Sequence, residues 1–242
     1  MIYLKKFNEG LRSVDIDSFC NKHGIRNYTI NSDGTIDVRG NVLLKSLTEI
    51  PIQFNRISGS FYCSHNKLKS LKGSPREVEG SFYCSNNYLT SLKFGPEKVG
   101  ENFICEGNKL KTLSGAPREV GDSFYCFLND LTSLSGSPEV IVGDFNCMGN
   151  KLTSLKGSPK KVGGDFICYD NYIETLKYFP EEVNGDFICY DNPLPDLILE
   201  NIGHIKLICQ EAEDFSIWRS DGSLDERRFK YMIDILKEEG KI

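Results

Sequence analysis

Nine cysteines and three histidines are the residues of this sequence best suited to chemistry, and their spacing decides which chemistry to consider. Cys63, Cys84, Cys105, Cys126, Cys147, Cys168 and Cys189 follow one another at intervals of 21. A zinc site needs ligands that converge from different directions, with paired cysteines only a few residues apart. These cysteines instead occupy one apolar slot in successive copies of a unit. Disulfides between neighbours fit poorly, because seven is odd and matched strands point their side chains alike. A thiolate nucleophile needs a base, and His65 stands two residues from Cys63, on the same side of an ideal strand. Six sister units carry the cysteine without the histidine. The column therefore reads as buried, inert thiols acting as small hydrophobes. The glycines recur as turn residues, and none forms a phosphate-cradling loop ahead of a helix. No catalytic residue, metal ligand or cofactor is assigned.

The cysteines belong to a wider period. "GDFICYDN" occurs at 164–171 and again at 185–192. Phenylalanine keeps the beat from Phe61 to Phe187, asparagine from Asn66 to Asn192, and leucine from Leu71 to Leu197. A further apolar column runs from Leu68 to Leu194, with Ile173 as its one isoleucine. Prolines recur from Pro75 to Pro180, each followed three residues on by Val or Ile. A strict period of this length marks a solenoid. Phe and Cys, two apart, point to one face of a short strand. Stacked coils make those strands a parallel sheet, Phe on Phe and Cys on Cys, filling the interior. A buried Asn is tolerable only if its amide bonds backbone groups of its own and adjacent coils. The prolines disfavour helix in the returning segment, which is expected to be extended or polyproline-like.

The spacing F-x-C-x-x-N-x-L-x-x-L resembles the leucine-rich-repeat core, with Phe and Cys in two leucine slots. The short coil with Pro in its return is similar to the bacterial-effector type of that family. The wording GDFxCxxNxLxSLxGxPxxV and the opening MIYLKKFNE resemble repeat proteins of large tailed phages. The repeat resemblance covers about residues 36–209. It implies a leucine-rich-repeat-like solenoid with a parallel β-sheet on the concave face, an extended convex side and helix-containing caps at both ends. Some effectors of the similar class carry a large C-terminal ligase domain. Only some 33 residues follow Cys209 here, so that activity is not implied.

The expected organisation is an N-terminal cap over 1–58, seven repeats plus a last strand over 59–209, and a C-terminal cap over 210–242. In the first cap, residues 13–23 predict a short helix closed by Gly24. NYTI, the turn NSDG and TIDV predict a hairpin. Ile36, Val38, Asn41 and Leu43 are read as a degenerate first coil in the Phe, Cys, Asn and Leu slots. HIKLIC, 204–209, is read as the last strand. Residues 223–239 predict a helix with a Ser223–Glu226 capping box and an apolar stripe of Leu224, Phe229, Met232, Ile233 and Leu236 that covers the final coil.

Specificity must lie where the repeat varies. The outward columns collect Tyr62, Tyr83, Tyr125, Phe127, Tyr169 and Tyr190, and nearby stand Asp144, Asp165, Asp170, Asp186 and Asp191. Such an aromatic–acidic concave face suits a basic or amphipathic protein partner. The alternative assignments are cross-strand stacking for the aromatics and surface solubility or edge protection for the aspartates. A net charge of −5 argues against a general nucleic-acid binder. No apolar run reaches a membrane span, and no secretory segment opens the chain, so the expected location is cytoplasmic. The leading expectation is a non-enzymatic protein-binding scaffold, in the host cytoplasm if the phage resemblance holds, with a host defence factor as the natural target. The rivals are a virion component, because KFNEG resembles phage targeting peptides cleaved after Glu9, and a small-ligand-binding protein or enzyme.

Overall fold

The computed structural model describes residues 15–242; the KFNEG segment and its proposed cleavage point lie outside the described residues. Each of the first six repeats contributes two strands of two residues, one from the Phe-Cys segment and one from the segment behind the proline, and the seventh contributes only the first. The first set forms an eight-stranded sheet running in coil order from Val42–Leu43 to Phe187–Ile188, every neighbouring pair parallel. We call this the face sheet. Its register is one coil per strand, so Phe61 lies beside Phe82, Phe82 beside Phe103, and onward to Phe187.

The returning strands form a second parallel sheet behind it. Phe54–Ile57, Glu77–Val78, Lys98–Val99 and Glu119–Val120 pair in sequence, and Val140–Ile141, Lys161–Val162 and Glu182–Val183 continue as a separate group. The extended return foreseen from the prolines is therefore itself hydrogen-bonded. The interruption between the two groups falls where Val140 and Val142 stand exposed on the surface.

The interior is the stack of repeated letters. From Phe61 to Phe166 the phenylalanines are fully buried, with neighbouring ring centroids 5.1–5.7 Å apart. The seven column cysteines are free and buried. Each buried Asn amide works as a clamp. Asn108 Nδ2 donates to the carbonyls of Cys84 (3.1 Å), Cys105 (3.1 Å) and Glu106 (3.3 Å), while its Oδ1 accepts from Leu89 N (3.1 Å). The amide thus satisfies backbone groups of two coils, as an internal polar side chain must. The pattern holds from Asn66 to Asn192.

The caps hold three corrections. The helix Ile16–Lys22, capped by Asp15, and the antiparallel hairpin Tyr28–Ile30 with Ile36–Val38 form as expected. However, Ile36–Val38 pairs with Phe54–Ile57 and so opens the return sheet, not the face sheet. The first face strand is Val42–Leu43: Val42 lies beside Phe61, and Leu43 points outward beside Tyr62. Asn41 sits one position before the strand, and its Oδ1 accepts from Ser60 N (2.8 Å). That coil has no Asn clamp of its own, and Asn66 of the next coil makes the regular backward bond, to Leu44 O (3.0 Å).

At the other end, HIKLIC is not a strand. Ile205–Glu211 is a helix, with Ile205, Ile208 and Ala212 buried along one side. Its Lys206 Nζ donates to Gly185 O (2.8 Å), closing a carbonyl that would otherwise meet the next coil. The terminal helix is Glu226–Glu238, and its cap is Asp225, which accepts from Arg228 N, rather than Ser223. Ser223 is engaged by Asp221. The predicted apolar stripe is buried in the core.

Candidate functional site

Because Phe and Cys point inward, the residues between and after them point outward from the face sheet. Tyr62, Tyr83, Ile104, Tyr125, Asn146, Ile167 and Ile188 lie side by side in one row. The row after Cys runs Ser64, Ser85, Glu106, Phe127, Met148, Tyr169 and Tyr190. Two aromatic groups result. Tyr62 and Tyr83 stack at 4.6 Å and 11°, and with Tyr125 and Phe127 they surround a shallow recess of about 480 Å³ whose lining includes Ile104, Glu106 and His65. Tyr169 and Tyr190 stack at 4.3 Å and 14°, and Tyr190 is 54% exposed. The coil carrying Asn146 and Met148 separates the groups.

The aspartates have other tasks as well. In the row before Phe, each side chain accepts from the backbone of the next coil. Ser123 Oγ accepts from Asp144 N (2.9 Å), Asp144 Oδ1 from Asp165 N (2.9 Å) and Asp165 Oδ1 from Asp186 N (2.7 Å). Asp144 and Asp165 are consequently half-buried clamps at the sheet edge, whereas Asp186 closes the row and is exposed. Asp170 and Asp191 occupy the turn after Cys with φ of 54° and 52°. Gly107 and Gly149 hold the same turn, and residues tolerant of the left-handed region are favoured there. Both aspartates are exposed.

Glu106 is the functional candidate the sequence reading passed over. It is the one acid in the row after Cys, and that change of type was its signal. Burial pushes its carboxyl up, against smaller opposing effects from the Ser85 hydroxyl and the His65 imidazole. Burial likewise pushes the column thiols far above their ordinary range, and Cys189, at the last coil, to about 11. His65 adopts a left-handed turn and is exposed, whereas Cys63 is buried. Among the described residues, no group of three or more His, Cys, Asp or Glu is placed to hold a metal ion.

A cavity of about 840 Å³ lies where the stack ends, between Phe187–Tyr190 and the helix Ile205–Glu211. Phe187 is only half-buried there because no eighth repeat covers it. Among the described residues, no helix is long and apolar enough to cross a membrane.

No protein-family model matches the sequence, and no curated relative matches it. Among solved structures the chain is similar to the leucine-rich-repeat domain of a Shigella effector. The two share 20% identity and superpose with a TM-score of 0.52, over 69% of this chain and 76% of that one. This chain has an effector-type leucine-rich-repeat fold. At that identity the likeness speaks for architecture: about seven stacked turns of about 21 residues with helices at the ends. Stacking of this kind gives an extended surface of side chains along the sheet.

Proposed function

We propose that this solenoid is a non-enzymatic protein-binding scaffold and that its contact surface is the outward side of the face sheet. The observation that carries the reading is the recess bordered by Tyr62, Tyr83, Tyr125 and Phe127, which gathers four large rings on the outward side of the sheet. Contiguous aromatic side chains supply binding energy at low entropic cost. The outer tyrosines approach more closely than the inner phenylalanines, 4.3–4.6 Å against 5.1–5.7 Å, consistent with a sheet curved toward the tyrosine side. Tyr169 and Tyr190 extend the aromatic surface toward the C-terminal coils. There Asp170, Asp186 and Asp191 offer exposed carboxylates to a basic or amphipathic partner, with Asp144 and Asp165 behind them.

The resemblance of the repeat wording to phage proteins makes a host protein, and a defence factor in particular, the first partner to seek; the Shigella domain does not address that choice. Affinity capture from host lysate, with identification by mass spectrometry, supplies a candidate whose affinity is then measured with purified proteins. Replacing Tyr83, Tyr125, Tyr169 and Tyr190 together by Ala is expected to weaken binding at least a hundredfold, because interface aromatics commonly cost more than ~1 kcal/mol each. Unchanged affinity in a variant that still folds would reject this face.

A further inference from the structure

The recess has a shape and a charge that narrow the partner's chemistry. Register places Tyr83, Ile104 and Tyr125 on three consecutive strands. The middle side chain is the short one: Ile104 is 8% exposed and forms the floor. Tyr83 and Tyr125 stand on either side, two strand spacings or roughly 9.5 Å apart. Tyr83 stacks on Tyr62 through one ring face, which leaves the other turned toward the gap. Phe127 and Glu106 border the gap from the next row. Glu106 is half-buried, and among the described residues it enters no ion pair. Burial outweighs the Ser85 hydroxyl and the His65 imidazole in the environment of its carboxyl, so a cation placed beside it would relieve a desolvated charge that enters no ion pair.

Resting on the reading that this face binds a protein, we infer that the slot between Tyr83 and Tyr125 receives an arginine side chain of the partner, its guanidinium stacked on the free face of Tyr83 and donating two N–H bonds to Glu106. Arginine fits better than lysine for two reasons. A planar guanidinium stacks on an aromatic face, and its fork matches both carboxylate oxygens. An ammonium would gain the charge but neither the stacking nor the paired bonds.

The test is an NMR titration of the full chain with acetyl-Gly-Arg-Gly-amide, alongside the lysine peptide and the neutral citrulline peptide. Shifts are expected to centre on the amides of Tyr83, Ile104, Glu106 and Tyr125, with affinity in the millimolar range. Citrulline should bind about tenfold more weakly, lysine several-fold more weakly, and Glu106→Gln should cost the arginine peptide about tenfold. Glu181→Gln, just ahead of the return strand Glu182–Val183, should change nothing. Equal binding of arginine and citrulline, shifts centred elsewhere, or no shift at millimolar peptide would overturn the inference. The parent reading is judged separately on the purified partner. If the tyrosine variants lose the partner while Glu106→Gln keeps it, only the arginine assignment falls. If the partner binds all of them equally, the face itself is wrong.

Discussion

Two side chains, repeated seven times, hold the interior together, and each leads to a measurable outcome. Asn108 satisfies three carbonyls and one N–H with a single amide. Asn108→Ala would leave Leu89 N without its partner, at ~1–3 kcal/mol for an orphaned group, while the carbonyls of Cys84, Cys105 and Glu106 keep their bonds from Asn87, Asn129 and Asn86 N. Chemical denaturation should show a loss of about 2 kcal/mol, with no change in aromatic exposure on the outward face. The cysteines make stability depend on alkaline pH. Burial raises their folded-state pKa values well above the unfolded value, so below about pH 8.5 the thiols are protonated in both states and cost nothing. Above it, the unfolded chain releases protons that the folded chain keeps, and stability falls by roughly 1.4 kcal/mol per thiol per pH unit. The chain should unfold steeply between about pH 9 and 10. Replacing three column cysteines by Ala should make that pH dependence shallower while lowering stability at pH 7. The inward role of Asn and Cys was legible from their spacing alone. The positive φ after Cys was not, because Asp170 and Asp191 resemble binding residues as readily as turn residues.

At the scale of the strand, strict repetition creates a problem that the return sheet resolves. Identical letters would stack like charge on like, yet Arg56, Glu77, Lys98 and Glu119 alternate in sign along adjacent strands. Arg76, Glu97, Arg118, Glu139, Lys160 and Glu181 alternate in the neighbouring row. Lys98–Glu119 closes at 2.8 Å, Lys161–Glu182 at 3.1 Å and Arg76–Glu97 at 3.2 Å. Each exposed pair is worth little alone, but a slip by one coil would set like charges together along both rows. Lys98→Glu would place three carboxylates in a line, and thermal melts should drop by several degrees at low salt and recover at high salt. Changing Glu119 to Lys in the same chain should recover part of the loss. The degenerate elements were where the sequence misled. The first coil is misassigned because Val42 and Leu44 replace Phe and Cys, while Ile36 and Val38 reproduce the expected alternation one strand too early. HIKLIC alternates like a strand, but Ile205, Ile208 and Ala212 keep the helical period on the buried side. That choice depends on the open end of the stack, which no local pattern records.

As a whole molecule, the chain is a one-dimensional stack in which each coil is stabilised by its neighbours. The helix Ile205–Glu211 and the terminal helix cover one end, and the N-terminal hairpin begins the return sheet at the other. The fold could be read from the sequence because the period never slips. The aromatic surface could also be read, as the residues outside the conserved columns. That Tyr83, Tyr125 and Glu106 frame one slot could not, since it depends on Ile104 standing short between two rings. Everything proposed about binding requires the repeated rows to face inward and the tyrosine rows outward. Mass spectrometry after brief treatment of the native chain with a maleimide and a tyrosine-nitrating reagent at neutral pH tests this most directly. Cys63 to Cys189 should remain unmodified until denaturant is added, whereas the exposed Tyr172, Tyr190 and Tyr231 should be nitrated first and Tyr62, Tyr83 and Tyr125 partially. Rapid labelling of the column cysteines with the tyrosines protected would contradict the account.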